Sequence, residues 1–345
     1  VDSTLTIDSR ITVNGDVHLI LADGENLTVN GGIGVAENNR FTVYAQSTEG
    51  NMGTLTATGR EYAAGIGSGE NGSGGTVTIN GGTVNASGGG GGAGIGGGFS
   101  ASGGTTTISG GNVTATGGRN AAGIGGGFNS SGGDITIHGG NVTATGGSKG
   151  AGIGGGNYGS GGIVTIDGGT VNATGGSKGA GIGGGISGSD GSFATGTGGN
   201  ALIVANGGIT DKKNQGSWSG IIFEGDSGTV YKDQTLQENF EIPSGKTLTV
   251  PQNTALTIPQ GVTLTNSGTI TGDGTLDGEG NLVGSGTVAQ TITNNLQKDS
   301  AVSVTVSPST ATYGSKVSIT ATISKSANAI TRAAEKQVEF FVGTD

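Results

Sequence analysis

The sequence has no cysteine and few of the other side chains on which most enzyme chemistry depends. Its 345 residues include two histidines, one tryptophan and one methionine. The absence of cysteine excludes a disulfide framework and thiol chemistry. His18 and His138 on their own fall short of the ligands that a metal site requires.

Charge is also scarce. Only 12% of the residues are charged, and the net charge is −10 at pH 7. An acidic balance without basic clusters argues against nucleic acid and anionic membranes as partners. No apolar run reaches the roughly 18 residues of a membrane-spanning segment, so we expect no direct membrane insertion. The chain begins inside a strand-like run and ends just after another, as a fragment of a longer protein would, so the lack of a signal peptide carries little weight.

Glycine is abundant, at 80 of the 345 residues. Its spacing lacks the strict three-residue period of collagen. The phrase AGIG recurs with a 29-residue period, and its isoleucines are Ile66, Ile95, Ile124, Ile153 and Ile182. Two further phrases, typified by DITIH and NVTAT, keep the same step. A fixed period of roughly 20–50 residues predicts a stacked repeat architecture.

The pattern within one unit predicts the type of repeat. In DITIH, Ile135 and Ile137 share one face, and in NVTAT, Val142 and Ala144 do the same. Pairs of glycines separate these runs, and the isoleucine of AGIG provides a third inward residue. Three short strands and three glycine corners per unit follow, with equivalent strands of successive units paired in parallel about 4.8 Å apart. The predicted fold is all-β, a parallel β-helix of 29-residue coils.

Three stretches carry a family resemblance: GGTVTINGGTVNASGG with AGIGGG, then SWSGIIFEGDSGTVY, then IPSGKTLTVPQNTALTIPQGVTLTNSGTI. They resemble Gly-rich repeat modules in large secreted surface proteins of gut Firmicutes, within the right-handed parallel β-helix proteins. The resemblance covers about residues 1–295. It implies a right-handed coil, an extracellular location at the cell surface or cell wall, and an adhesive or carbohydrate-binding role. The partners it implies are glycans or other host surface molecules, bound by a monomeric module of a longer protein.

The chain divides into four segments. We expect residues 1–60 to form the N-terminal coils and cap, 61–185 the regular coils, and 186–298 the C-terminal coils. In the third segment we expect 186–200 to loop out laterally, and repeats of eight and then six residues to continue the solenoid as smaller turns. Residues 299–345 resemble a partial Ig-like β-sandwich, since they supply about half of the roughly 100 residues that such a domain needs.

Acidic residues are the main candidates for catalysis or metal binding, because many parallel β-helices act on polysaccharides and glycosidases use paired carboxylates. The nearest cluster is Asp273, Asp277 and Glu279. A six-residue step would place Asp273 and Glu279 in neighbouring turns, where they could hold calcium or act as acid and base. A solvated acidic corner is the simpler interpretation. No catalytic residue is assigned, and no cofactor beyond this calcium.

Binding residues are easier to propose. The NVTAT strands direct hydroxyls outward in two ranks, which predict a flat polar array containing Thr114, Thr116, Thr143 and Thr145. Aromatic rings that could stack on sugars are Phe99, Phe128, Tyr158 and Trp218. Plainer interpretations also hold: threonine is a good strand residue, the rings could shield the solenoid edge, and a lone tryptophan often packs in a core.

These observations favour a non-enzymatic, adhesin-like rigid stalk that binds carbohydrate through a repetitive polar and aromatic face. Two alternatives stay open. One is a carbohydrate-active β-helix enzyme, a polysaccharide lyase or glycoside hydrolase, that uses the acidic residues or the loop around Trp218. The other is an ice-binding solenoid that uses the threonine ranks.

Overall fold

The glycine-rich repeats form stacked coils of parallel strands. The computed structural model describes residues 4–48, 50–196 and 200–296, and the backbone of two later strands. Within this part of the chain the only helix is a short 3₁₀ turn, Gln215–Ser217. The all-β prediction is therefore confirmed.

The N-terminal coils differ in length from the regular ones. Leu5 pairs with Leu27, Asn26 with Thr54, and Thr54 with Thr83, so a 22-residue coil is followed by a 28-residue coil and then by the first 29-residue coil. Their strands are β1 (Leu5–Ile7), β2 (Ile11–Thr12), β3 (Asp16–Leu21), β4 (Asn26–Gly31), β5 (Ile33–Gly34), β6 (Arg40–Ala45) and β7 (Thr54–Gly59).

The regular coils each contribute three short strands. The isoleucine and glycine of AGIG form a strand of two residues, the DITIH-type run one of four, and the NVTAT-type run one of five. The strands are β8 (Ile66–Gly67), β9 (Thr76–Ile79), β10 (Thr83–Ser87), β11 (Ile95–Gly96), β12 (Thr105–Ile108), β13 (Asn112–Thr116), β14 (Ile124–Gly125), β15 (Asp134–Ile137), β16 (Asn141–Thr145), β17 (Ile153–Gly154), β18 (Ile163–Ile166), β19 (Thr170–Thr174) and β20 (Ile182–Gly183).

Beyond the regular coils the strands become shorter and more irregular. They are β21 (Ser192–Thr195), β22 (Leu202–Asn206), β23 (Gly220–Glu224), β24 (Ser227–Tyr231), β25 (Gln234–Thr235), β26 (Phe240–Ile242), β27 (Thr247–Thr249), β28 (Ala255–Thr257), β29 (Thr263–Asn266), β30 (Thr269–Thr271), β31 (Thr275–Asp277), β32 (Asn281–Val283), β33 (Thr287–Val288), β34 (Thr293–Asn294), β35 (Ala301–Ser307) and β36 (Ser318–Ser324).

Three sheets run along the first solenoid. Sheet B has the order β2-β5-β8-β11-β14-β17-β20, and sheet C the order β3-β6-β9-β12-β15-β18-β21. Sheet A has 13 strands, in the order β1-β4-β7-β10-β13-β16-β19-β22-β23-β24-β27-β30-β33. Ile95 pairs in parallel with Ile66 and with Ile124, one repeat away on either side. The parallel β-helix and the 29-residue coil are thus confirmed.

Aliphatic ladders fill the interior of the first solenoid. In one coil, Ile79, Val84 and Ile95 come from the three sheets, and each is fully buried. The same positions recur one strand spacing away in the next coil, so the ladder is continuous. Burial of this kind stabilises a fold by about 25 cal/mol per Å² of apolar surface, and only stacked coils achieve it.

The break after residue 185 is smaller than expected. Val164 pairs with Phe193, which keeps the 29-residue step in sheet C. Thr170 then pairs with Leu202, so in sheet A this coil is longer than the regular ones by three residues. The prediction of a lateral loop is wrong for residues 186–196, because Ser192–Thr195 continues sheet C as β21; residues 197–199 of that predicted loop lie outside the described residues.

A hairpin in sheet A starts a second solenoid. β23 is parallel to β22, but β24 is antiparallel to β23, and every later strand of the sheet follows the new direction. Two further sheets complete the coils: sheet D, with the order β25-β28-β31-β34, and sheet E, with the order β26-β29-β32. The core also changes face, since Ile222 packs in the first core and its neighbours Ile221 and Phe223 pack in the second.

The change in strand direction and the change of core face together leave the hand of the coil unaltered. Reversing the strand direction alone would reverse the hand of the coil, and so would moving the interior to the other face of sheet A. Together they leave the second solenoid with the same hand as the first. The outer face of sheet A in the regular coils therefore leads directly into the core of the second solenoid, where Leu202 and Val204 pack.

The short repeats after residue 241 are the sides of these coils. Leu248, Leu256 and Leu264 lie on β27, β28 and β29, in three different sheets. A step of eight or six residues is therefore one side of a coil. Leu248 pairs with Ile270 and Ile270 with Val288, so a 22-residue coil is followed by an 18-residue one. The last two strands, β35 and β36, form an antiparallel pair. The remainder of the proposed Ig-like region lies outside the described residues.

Candidate functional site

The predicted threonine array exists on the outer face of sheet A. Thr114 pairs with Thr143, and Thr116 with Thr145, each flanked by the equivalent residues of the neighbouring coils. Thr114, Thr116 and Thr143 are exposed, and Thr145 is half-buried. The two predicted files continue into the N-terminal coils through Thr28 and Thr56 and through Asn30 and Thr58.

Sequence reasoning missed a third file beside the other two. It lies on the first residues of the same strands and contains Asn26, Thr54, Thr83, Asn112, Asn141 and Thr170. The sequence contained a signal for this file, because these residues lie two and four positions before the threonines of the NVTAT-type strands and so lie on the same face. The polar array is thus three residues wide, and its rows are spaced at the inter-strand distance of about 4.8 Å.

Four aromatic rings form a ladder along the corners beside sheet B. The centroids of Phe99 and Phe128 lie 4.9 Å apart in a stacked arrangement. Tyr62 meets Phe99 edge-on at 5.4 Å, and Phe128 meets Tyr158 edge-on at 6.1 Å. Phe99 and Phe128 are half-buried with an aromatic neighbour on either side, so little of their ring surface is left for a sugar. The terminal tyrosines keep more, with exposures of 44% for Tyr62 and 58% for Tyr158.

Tyr158 also has an unusual backbone. Its φ is +62°, in the left-handed region, and the equivalent positions of the other coils hold Asn71, Ser100, Asn129 and Ser187 at similar angles. Asparagine tolerates this region better than a bulky residue does. A tyrosine held there, with its ring exposed, costs stability that a purely structural corner does not require.

Trp218 is not a surface ring, and the prediction that it stacks on carbohydrate is wrong. It is 1% exposed and packs edge-on against Phe193 at 5.0 Å and Tyr231 at 5.4 Å. Trp218 follows the last coil of the first solenoid and covers the end of its core. Large aromatic side chains are well suited to this because they bury a great deal of apolar surface.

The predicted carboxylate cluster does not form. Asp273 and Glu279 lie at successive corners of one coil, on either side of β31, which ends at Asp277. All three side chains are exposed, and within residues 4–48, 50–196 and 200–296 no group of three acidic or histidine side chains could hold a metal ion. The expectation that Asp273 and Glu279 face each other across neighbouring turns, as a calcium site or an acid–base pair, is wrong because a six-residue step is one side of a coil.

Other titratable groups serve the fold. The Asp211 carboxylate accepts hydrogen bonds from the Phe193 N–H at 3.0 Å and the Lys213 N–H at 3.2 Å. The first of these does most to lower the pKa of Asp211; burial opposes it, and the Lys213 N–H and charge add to it. At the N-terminal end, the Arg10 guanidinium donates to the backbone carbonyls of Gly31, Ala64, Gly67 and Ser68. Burial lowers the pKa of Arg10, and the charge of Arg60 lowers it further.

The array ends at a cleft of about 310 Å³ between the two solenoids. Its floor is the end of the third file, at Asn141 and Thr170, followed by Leu202. Its wall is the chain from Gln234 to Phe240, the first two sides of the second solenoid. Sequence reasoning could not find this cleft, because it depends on the change of face in sheet A.

Comparisons with known proteins agree with this architecture. The beta helix repeat family model matches residues 50–70, 77–99, 107–128, 135–157 and 164–186. These segments make up about a third of the chain. No curated protein and no solved structure gave a match. In the part of the chain that the structure describes, no helix is long and apolar enough to span a membrane. The matched repeats and the stacked parallel sheets together show that this chain folds as a parallel β-helix.

Proposed function

We propose that this chain is a non-enzymatic, adhesin-like surface module that binds carbohydrate along the outer face of sheet A. The observation that carries the proposal is the polar array, three residues wide and in register from β4 to β19. Rows of hydroxyls and amides about 4.8 Å apart offer donors and acceptors at regular intervals. An extended glycan, which repeats its own hydroxyls, is the kind of partner that such a surface fits.

The rest of the molecule suits an extracellular stalk at the cell surface or cell wall. Continuous strand pairing along the axis makes the solenoid rigid. The chain has 15 lysines and arginines among 345 residues, so trypsin-like proteases have few sites to cleave. Tyr158, exposed at the end of the aromatic ladder, offers a second contact for a sugar ring. The partners are then host glycans or other surface molecules.

Two features weigh against the alternatives. Glycosidases use a pair of carboxylates, whereas the described residues that line the cleft include one, Glu238. An ice-binding surface would need threonine pairs on successive strands. Here the strand with Asn85 and Ser87 separates the pair on β7 from those on β13 and β16, and the strand with Asn172 and Thr174 follows them.

A glycan array tests the proposal. We expect the full chain to bind one class of glycan, and Thr116→Lys with Thr145→Lys to reduce that binding at least tenfold. The matched control is Thr107→Lys with Thr136→Lys, two outward threonines in neighbouring strands of sheet C, which we expect to bind as the parent does. No binding by the parent, or equal losses in both double variants, would refute the proposal.

A further inference from the structure

We propose that the cleft between the two solenoids is a separate site for a single saccharide residue, such as the terminal residue of a glycan chain. The inference rests on the proposed carbohydrate-binding function, but it concerns different residues from those tested above. The volume of about 310 Å³ lies at the lower end of the roughly 300–1,000 Å³ typical of small-molecule sites. One sugar ring fits a space of this size better than a chain does.

Gln234 is a buried polar side chain at the base of the cleft. Its side chain is 4% exposed and lines the cleft. The two N–H groups of the amide nitrogen are shared among three acceptors: the backbone carbonyls of Tyr231 at 2.9 Å and Asp233 at 2.8 Å, and the more distant Ser219 hydroxyl at 3.2 Å. These bonds fix the orientation of the amide. The oxygen, Oε1, has no hydrogen-bond partner among the residues that the structure describes.

An unpartnered buried oxygen has a free-energy cost of about 1–3 kcal/mol. Because Oε1 of Gln234 is itself buried, a ligand in the cleft does not reach it, and Gln234 serves to fix the base of the cleft. The acceptors open to a ligand are those of Gln237 and Glu238, which are both exposed and line the cleft. The Gln237 amide nitrogen donates to the Thr235 carbonyl at 3.1 Å, and Oε1 of Glu238 accepts the Thr170 hydroxyl at 2.8 Å. Its carboxylate is exposed and has a second oxygen for a ligand.

The remaining surface of the cleft is apolar. Leu202 and Ile221 form part of the floor, and Phe240 is half-buried in the wall. Among the described residues that line the cleft there is no lysine or arginine, so an anionic ligand has no counter-charge. Two acceptors beside apolar surface suit a ring with hydroxyls at its edge and C–H groups on its face, and that description fits a neutral pyranose.

The cleft lies at the end of the polar array. The third file runs through Asn112, Asn141 and Thr170 into Leu202. A glycan lying along this file would reach the wall of the second solenoid at the cleft and could extend no further. The cleft therefore selects the end of the chain, while the array contacts its length.

Saturation-transfer NMR on the full chain tests the site with free glucose, galactose, mannose, N-acetylglucosamine and N-acetylgalactosamine, and with ethylammonium as a cation probe. We expect at least one sugar to give a signal. Asn141→Trp should abolish it by filling the cleft from an exposed position, and Glu238→Gln should weaken affinity about tenfold by removing the charge that strengthens the hydrogen bond. The control is Thr105→Trp, at an exposed position of sheet C outside both the array and the cleft, which should bind as the parent does.

The outcomes separate this site from the proposed function. Monosaccharide signals that Asn141→Trp abolishes and the double variant Thr116→Lys with Thr145→Lys leaves intact support the cleft, whether or not the array binds glycans. Glycan binding that depends on the threonines but is unaffected by Asn141→Trp, with no monosaccharide signal, overturns the cleft and keeps the array. Signals from ethylammonium alone would overturn the saccharide assignment, because Glu238 would then be acting as a simple cation site.

Discussion

At the scale of the residue, Thr106 places a hydroxyl inside the aliphatic ladders of the first solenoid. It occupies an inward position of sheet C that Val77 and Ile135 fill in the neighbouring coils. It is 1% exposed, and its hydroxyl has no partner in the described part of the chain. Because valine has nearly the same shape without the unsatisfied hydroxyl, we expect Thr106→Val to raise the free energy of unfolding by about 1 kcal/mol in urea denaturation.

The adjacent threonine is the control for this change. Thr107 points outward on the same strand and is half-buried, so Thr107→Val should alter stability by less than about 0.5 kcal/mol. A loss of stability in Thr106→Val would mean that the hydroxyl is bonded in solution. Alternation in the sequence predicted which residues of TTTI face inward, but it could not show how an inward hydroxyl is accommodated.

Asp211 makes the stability of the first solenoid depend on pH. Its pKa is lowered in the folded protein, chiefly by the Phe193 N–H, so the unfolded chain binds the proton more tightly. The stabilisation is complete above the unfolded pKa of about 3.9 and is lost as the pH falls through the folded pKa. We expect Asp211→Asn to destabilise at pH 7 and the difference from the parent to shrink below about pH 4, as measured by urea denaturation at several pH values.

Thr195 provides the comparison for that experiment, because its hydroxyl accepts a hydrogen bond from the Ser219 N–H at 2.6 Å and does not titrate in this range. The difference between Thr195→Val and the parent should therefore not vary with pH. A constant difference for Asp211→Asn across the range would contradict the role assigned to its carboxylate.

At the scale of the element, the two-residue strands of sheet B depend on glycine. Gly125 has a φ of +126°, and a Cβ there would lie 2.1 Å from the carbonyl oxygen of Gly154 in the next coil. Both the angle and the contact exclude a side chain. We expect Gly125→Ala to lower the free energy of unfolding by roughly 2–5 kcal/mol, combining backbone strain and overpacking. Thermal or urea denaturation measures the loss.

Not every glycine carries this requirement, and Gly90 shows the difference. A Cβ at Gly90 would make an ordinary contact of 3.5 Å with the Glu61 carbonyl oxygen. Gly90→Ala should therefore be close to neutral. Equal effects at both positions would mean that the glycines reflect composition rather than close packing of the coils.

At this scale the sequence predicted the regular coils but not the reversal of strand direction that follows them. Strict recurrence of Ile95 and its equivalents determined the coil length, the parallel pairing and the inward faces. The reversal at β23 and β24 was hidden, because Ile221, Ile222 and Phe223 form an apolar run that is typical of an ordinary buried strand. Because the reversal was not predicted, the steps of eight and six residues indicated whole turns rather than sides of a coil, and the cleft at Gln234 had no signal in the sequence.

At the scale of the whole molecule, each coil contacts only its neighbours, so stability should follow the number of complete coils. Deleting residues 105–133 removes one 29-residue coil and joins Gly104 to Asp134, the equivalent of Thr105. The ladders of the flanking coils then meet in register. We expect a folded protein with one cooperative transition, a slightly lower melting temperature, and a urea m-value reduced by roughly a tenth, since m follows the surface exposed on unfolding.

A shorter deletion should do more damage than this longer one. Removing only residues 105–119 takes away the strands Thr105–Ile108 and Asn112–Thr116 but leaves Ile124 of the same coil. Sheets A and C each lose a rung while sheet B does not, so the ladders on either side can no longer meet around one axis. We expect this variant to lose cooperative unfolding and the far-UV strand signal of the affected coils. If circular dichroism and denaturation showed it to be as stable as the variant lacking 105–133, stability would not depend on complete coils, and the solenoid would be better described as independent sheets.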